Sequence, residues 1–490
     1  MNYKMTGRFI AQILLLEALF MIPAMFISLY CGENASVKAF LVTMVLLLVV
    51  SCLLRFLCRG AKSNFYATDG MVCVALSWIV LSLAGSLPFV LSGAIPKFID
   101  ALFEIVSGFT TTGASILPEV ESLPKGIMYW RSFSHWVGGM GVLVFLLAIV
   151  PSTDRGKGFT MHLLRAESPG PSVGKLVPKM RKTAAILYIL YVGLTIADII
   201  FLVLGKMDVF EAVCNAFGTA GTGGFGVRND SFASYSPYLQ NVTTIFMFLF
   251  GVNFTCYYFL LLRQFGAVFR DEELRAYFGI VLGSTLLIAW NIRGQYATLE
   301  ETFRHAAFQV SSITTTTGFA TTDFDQWPSF SKTILLCLMV IGASAGSTGG
   351  GMKVSRLILL FKSLRRSFLQ MLHPRRVQMI RNNGQVVDDK IVETTNAYLI
   401  AYVFILFVSF LLLSPDGFST GTNFSAVLCC FNNIGPGLEA VGPTCNFSGF
   451  GILSKLVLIF DMLLGRLEIF PIRIVPAPLD TLTPNPCWKA

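Results

Sequence analysis

The chain has 490 residues, 54% of them hydrophobic and 13% charged, with a mean hydropathy of +0.67. Soluble domains carry about 25% charged residues, so there is too little polar material to cover a soluble globule of this size. Lys plus Arg number 37 and Asp plus Glu 28, a formal charge of +9. The basic residues cluster in short segments between apolar runs, which fits the positive-inside pattern of a polytopic membrane protein and argues against a nucleic-acid partner.

A membrane-spanning helix needs about 20 mostly apolar residues. In chain order the predicted spans are 10–30, 37–57, 71–91, 134–150, 183–204, 242–262, 277–290, 333–361, 391–413 and 451–470. The first is too long for the apolar core of a signal peptide, and no small-residue cleavage site follows it, so it reads as a retained helix. The cysteines lie mostly inside apolar runs with no CxxC pair, against a redox or metal motif. Histidines 135, 162, 305 and 373 are scattered, and no nucleophile–base or metal-ligand spacing appears, against an enzyme.

Four basic clusters orient the spans. They are Arg55, Arg59 and Lys62; Arg155, Lys157, Arg165, Lys175, Lys179, Arg181 and Lys182; Arg263, Arg270 and Arg275; and Arg356, Lys362, Arg365, Arg366, Arg375, Arg376 and Arg381. If the spans alternate, all four fall on one side, which reads as cytoplasmic.

The opposite loops repeat. Segments 99–115, 207–226, 299–324 and 419–443 each begin with an amphipathic run too short to span and end in a Thr/Gly or Asn/Gly turn. Gly113, Gly221, Gly318 and Gly435 recur about every 100 residues, a period that suits a unit of helix, re-entrant half-helix, turn and helix. Thr110-Thr111-Thr112-Gly113 aligns with Thr315-Thr316-Thr317-Gly318, and Phe431 precedes Gly435 by the same four positions as Phe109 precedes Gly113. In the second repeat that spacing from Phe217 selects Gly221, whereas a Gly-Phe match with Gly318-Phe319 selects Gly224.

Non-helical backbone at membrane depth is tolerated where protein buries it or it lines a cavity. Four such turns around one axis make a ring of carbonyl oxygens, which replace the hydration shell of a monovalent cation. Glycine allows the dihedrals that turn a carbonyl inward. Each half-helix aims the negative end of its dipole at the turn, which favours a cation over an anion.

The strings SGFTTTGAS (107–115), SHWVGGMGVLVF (134–145), SITTTTGFATTDF (312–324), GASAGSTGGGMKVSR (342–356) and FNNIGPGLEAVGP (431–443) resemble the Trk/Ktr/HKT superfamily of potassium transporters, most closely the bacterial Trk-H-type uptake subunit. The resemblance runs from the N-terminal hairpin to LLGRLEIF (463–470). It implies an all-α integral membrane fold, with an N-terminal two-helix hairpin (1–66) and four pseudo-fourfold helix–pore loop–helix repeats (67–182, 183–275, 276–390, 391–490). It implies potassium as the transported ion, a homodimer in the inner membrane bilayer, and a cytosolic partner resembling a Trk-A ring that binds nucleotides. The family's filter maps onto Thr111, Thr112 and Gly113; Ala220 and Gly221; Thr316, Thr317 and Gly318; and Asn433, Ile434 and Gly435. Its intramembrane gating loop maps onto Gly346, Ser347, Thr348, Gly349, Gly350, Gly351 and Lys353, and its pore-facing arginine onto Arg466.

Two of these assignments have support in the residues themselves. Segment 333–361 is too long for a simple span, and its glycines and small polar residues predict an unwound stretch. That segment superficially matches a GxGxxG dinucleotide loop, but no strand precedes it. Arg466 near the end of the last span reads either as an interface arginine or as a cation set against the ion path. Glu104, Asp208, Glu211, Glu300, Glu301 and Asp323 read as helix caps or as acids that concentrate cations at the mouth. Asp461 within the last span is a candidate for ion coupling, with Lys455 as a conceivable partner. Trp130, Trp290 and Trp327 read as interface anchors. After residue 470 a proline-rich tail cannot continue the helix, and it departs from the short apolar end usual in the family.

Overall fold

The computed structural model describes residues 3–60, 67–139, 141, 180–375 and 378–469. Residues 155–179 of the second basic cluster, most of the latter part of the 134–150 span and the proline-rich tail lie outside the described residues.

Apolar runs form the long helices, because a helix is the one open structure that satisfies its own backbone in lipid. Tyr3–Tyr30 and Asn34–Leu57 make an antiparallel hairpin. Ser51 Oγ on the second donates to the Ala11 carbonyl on the first at 2.6 Å. Leu41, Val45, Leu48, Val49 and Leu53 on the second helix are exposed, as a lipid-facing surface requires.

A unit then recurs four times: long helix, short helix, turn and second helix. The long helices are Ala67–Ser92, Met180–Leu204, Glu272–Ile292 and Asp389–Leu413. The short helices are Phe98–Phe109, Val209–Gly221, Leu299–Thr314 and Thr420–Phe431, 12 to 16 residues each. At about 1.5 Å per residue they reach only part-way through a hydrocarbon layer of about 30 Å.

The second helices differ from one another. Among the described residues, six helices are long and apolar enough to cross alone; the predicted spans 242–262, 333–361 and 451–470 correspond to second helices that are short or broken. The predicted single span 242–262 is instead Pro237–Phe250 and Phe254–Leu261, bent by 90°. Asn253 causes the restart, its side chain accepting from Thr255 N at 2.9 Å as an N-cap. Segment 333–361 does break in its middle: Ser329–Ile341 ends at Gly342, and a new helix, Val354–Leu372, begins after an irregular loop.

A two-stranded hairpin, Arg381–Asn382 with Gln385–Val386, turns on Asn383 and Gly384, both at positive φ as a type I′ turn needs. Trp130 and Trp327 are core residues and not interface anchors. Each is 3% exposed or less, and their indole N–H groups donate to Gly85 O and Tyr296 Oη. Trp290 is 63% exposed, as an anchor would be.

Candidate functional site

The four short helices end in the same way. In each, one residue takes the left-handed conformation: Thr111 (φ 57°), Thr222 (53°), Thr316 (60°) and Asn433 (56°). Its N–H bonds three residues back, and the next N–H bonds five back: Thr111 to Gly108 and Thr112 to Ser107; Thr222 to Thr219 and Gly223 to Gly218; Thr316 to Ile313 and Thr317 to Ser312; Asn433 to Cys430 and Ile434 to Cys429. This is the Schellman C-cap. Three of the left-handed residues are β-branched threonines, and such strain costs about 1–3 kcal/mol per residue. All four are fully buried, so their surroundings hold them there.

Two residues after each left-handed residue comes a glycine at positive φ: Gly113, Gly224, Gly318 and Gly435. The equivalent glycine in the second repeat is therefore Gly224, as the Gly-Phe match selects. The Phe217 spacing is three residues out of register. Ala220 and Gly221 belong to the helix, and the residues equivalent to Thr111–Thr112–Gly113 are Thr222, Gly223 and Gly224. The spacing misleads because Phe217 stands one turn earlier in its helix than Phe109 and Phe431 do in theirs.

These glycines form a closed cycle. A Cβ on Gly113 would collide with the Gly223 carbonyl oxygen, on Gly224 with that of Thr317, on Gly318 with that of Ile434, and on Gly435 with that of Thr112. The order of repeats is first, second, third, fourth, first, which makes a pseudo-fourfold ring of carbonyls around one centre.

Hydroxyls brace the ring. Thr110 Oγ1 bonds Val106 O at 2.7 Å and Thr112 Oγ1 at 2.8 Å; Thr315 Oγ1 bonds Ser311 O at 2.7 Å and Thr317 Oγ1 at 2.8 Å. Asn433 Nδ2 donates to Thr112 Oγ1 at 2.9 Å, joining the fourth turn to the first.

Two residues behind the ring, Arg131 and His135, were given no role by the sequence, although His135 falls within the string 134–145. Arg131 pairs with Glu104 at 2.6 Å, donates to Gly226 O at 3.0 Å and lies 3.6 Å over the Phe225 ring. Glu104 also accepts from Ser115 Oγ and from Ile116 N. His135 accepts from Phe225 N at Nε2, which leaves Nδ1–H to donate to Gly108 O at 2.7 Å. Both are polar and stand at i and i+4 on one helix, and His135 also lies in the string 134–145.

Loop 342–353 contacts the ring directly. Gly350 N donates to Thr316 Oγ1 at 2.6 Å, and Gly351 N to Asn432 O at 3.1 Å. The loop also docks into the bend of the second repeat. Ser344 N donates to Gly251 O at 3.2 Å, Phe254 N to Gly346 O at 3.0 Å, and Thr348 Oγ1 to Phe250 O at 3.3 Å. The backbone groups freed by one broken helix are thus satisfied by the other. Lys353 is buried and folds back onto the Gly349 carbonyl.

Arg466 points inward and does not snorkel. It donates to Thr348 O at 3.2 Å, to Gly139 O at 2.8 Å and to Gly138 O, and it reaches Thr111 Oγ1 at 3.5 Å. It therefore joins the last helix to loop 342–353, the first repeat and the ring.

The acids have mixed roles. Asp208 caps Phe210 N, Asp323 caps Asp325 N, Glu211 pairs with Arg228 and Glu300 with Arg304. Glu301 lies 4.0 Å from His305. Lys455 pairs with Asp100 at 2.7 Å and not with Asp461, whose Oδ1 accepts from Ser409.

The fold and the ring define a multi-pass membrane protein built on four pseudo-equivalent re-entrant turns. The chain belongs to the TrkH family of cation transport proteins, which it matches over residues 36–482. It is 34% identical over 485 residues to the Trk system potassium uptake protein TrkH of Escherichia coli, covering 98% of this chain and 99% of that one. It is 35% identical over 488 residues to TrkH of Vibrio parahaemolyticus, with the same coverage. The crystal structure of the potassium transporter TrkH from Vibrio parahaemolyticus superimposes with a TM-score of 0.86, covering 98% of this chain and 99% of that one at 33% identity.

Proposed function

We propose that this protein is a potassium uptake channel of a bacterial inner membrane. The ring of four turns is its selectivity filter, and loop 342–353 with Arg466 is its gate. The observation that carries the reading is the closed cycle of Gly113, Gly224, Gly318 and Gly435, each packed against the carbonyl of the next repeat. Four buried carbonyl-bearing turns at the C-terminal ends of four helices make a site for a partly dehydrated monovalent cation. Relatives whose names describe potassium uptake supply the ion.

In this reading an ion enters from the outer mouth, where Ser115, Arg131, Arg228 and Asn229 stand around the four glycines. It exchanges water for the carbonyls of Thr111–Gly113, Thr222–Gly224, Thr316–Gly318 and Asn433–Gly435. It then meets loop 342–353 and the Arg466 charge, which together oppose passage until they move. Membrane potential supplies about 2.3 kcal/mol per charge per 100 mV, enough to drive accumulation without a coupled ion. The basic loops and both termini face the cytoplasm. A homodimer and a cytosolic nucleotide-binding ring of the Trk-A kind complete the assembly, and the repeats divide at residues 66, 182, 275 and 390.

The test is flux of potassium into liposomes holding purified protein, with no proton or sodium gradient. Flux following the potassium gradient and voltage alone is expected. Strict dependence on a second ion would replace the channel with a symporter using a membrane carboxylate such as Asp461.

A further inference from the structure

We propose that Glu273 is the latch of the gate, a positioning residue that holds loop 342–353 under the ring by gripping both of its ends. The proposal rests on the gating reading above. Glu273 is the second residue of the Glu272–Ile292 helix, and it is buried. Its Oε1 accepts from Ala345 N at 2.6 Å and from Ser355 N at 3.1 Å. One donor stands just after the break at Gly342. The other is the second residue of the helix that follows the loop.

Each contact fills a need the loop does not meet itself. The first N–H groups of a helix have no intrahelical partner. At the start of Val354–Leu372 the capping position is Lys353, whose side chain accepts nothing. Glu273 therefore caps that helix from another element, and the same oxygen satisfies Ala345. A buried carboxylate is costly unless strong donors surround it, and here the donors are the two ends of the loop. Loss of this oxygen would orphan two buried N–H groups and leave the loop held by its contacts to the ring, to the Phe250–Phe254 bend and to Arg466.

The neighbouring acids extend the grip toward the basic side. Glu272 pairs with Lys362 on the exit helix and accepts from Asn383 N at 3.1 Å. Asp271 caps Leu274 N at 2.8 Å and accepts from Asn383 Nδ2 at 2.9 Å. Three consecutive acids thus hold the loop, the helix that leaves it and the 381–386 hairpin.

Two substitutions separate reach from charge. E273D keeps the charge but shortens the side chain by about 1.5 Å, so it cannot grip both ends. E273Q loses the charge but keeps an acceptor oxygen at full reach. Each full-length variant is reconstituted in liposomes, and basal potassium flux is measured without any cytosolic partner. E273D is expected to raise basal flux about tenfold, because a lost hydrogen bond to a charged group shifts a two-state equilibrium by roughly that factor. E273Q keeps both acceptor contacts at full reach and is expected to raise basal flux less than E273D does. A leaky E273Q with a tight E273D would overturn the latch, and so would parental or lower flux in E273D. Deletion of 346–351 is the control. A deletion that raises flux while E273D stays silent defeats the latch alone, and a silent deletion defeats the gating reading itself.

Discussion

Gly435 packs against the carbonyl oxygen of Thr112, so closely that a Cβ on the glycine would lie 2.7 Å from that oxygen. The two residues are far apart in sequence, and their contact joins the last repeat to the first. It turns four loops into a ring, and it makes each glycine a spacer for its neighbour's carbonyl as well as a flexible point in its own turn.

Gly224→Ser therefore shifts the potassium-to-sodium flux ratio by about tenfold or more, equivalent to about 1.4 kcal/mol of differential binding. The new side chain displaces the Thr317 carbonyl. Gly221→Ala should behave differently, because its Cβ meets the His135 backbone. It lowers the yield of folded protein and leaves the ratio unchanged. Paired flux measurements in the two cations check both, and a ratio altered only at position 221 would restore the Phe217 spacing.

Arg466→Gln keeps part of the hydrogen bonding to Thr348, Gly138 and Gly139 but removes the charge that the gating proposal sets against the ion. Basal potassium conductance should rise by about tenfold, because a like charge a few ångströms away costs at least about 1 kcal/mol even in water and more where the dielectric is lower. Single-channel recording of the purified protein checks this, and unchanged conductance would assign Arg466 a purely structural part.

The Glu104–Arg131 pair gives a stability prediction. Removing either partner alone, as in Glu104→Gln or Arg131→Met, leaves a buried charge and costs about 3–5 kcal/mol. The double variant costs less than the sum of the two. Melting temperatures of the detergent-solubilised protein in a double-mutant cycle measure the difference, and additive losses would deny the coupling.

Glu439, in the outer segment after the fourth turn, accepts hydrogen bonds from Ser419 Oγ and from Thr422 Oγ1 at 2.9 Å. These hydroxyls hold its carboxyl below the usual Glu range, with Ser419 the larger cause. The folded state thus favours the ionised form. Its stabilising contribution is full above the unfolded value of about 4.3 and is lost as pH falls through the lower folded value. Glu439→Gln should flatten the decline in melting temperature below about pH 4.3, and an unchanged acid profile would remove Glu439 as a contributor.

Repeats one and three were legible because both spell Thr-Thr-Thr-Gly. The fourth was legible through its Phe-to-Gly spacing. The second was ambiguous by three residues, since local spacing counts from an aromatic whose place in its helix is set by packing. The break in 333–361 was visible as a run of glycines, whereas the 90° bend at Gly251–Asn253 was not. A single glycine is common inside membrane helices, and the bend is stabilised by carbonyl and N–H partners on loop 342–353, about 90 residues later. The roles of Arg131, His135 and Glu273 were not legible for the same reason, because each works on a backbone group of a distant segment.

The sequence by itself determined the solvent, most of the helices and the places of the four turns. Those follow from hydropathy, period and the dihedral freedom of particular residues, all of which are local. Tertiary structure alone decided which glycine of the second repeat enters the ring, which broken helix seats which loop, and where Arg466 and Glu273 point. Those depend on closing a cycle through contacts between residues up to 355 positions apart, and no local pattern encodes which carbonyl a glycine will meet.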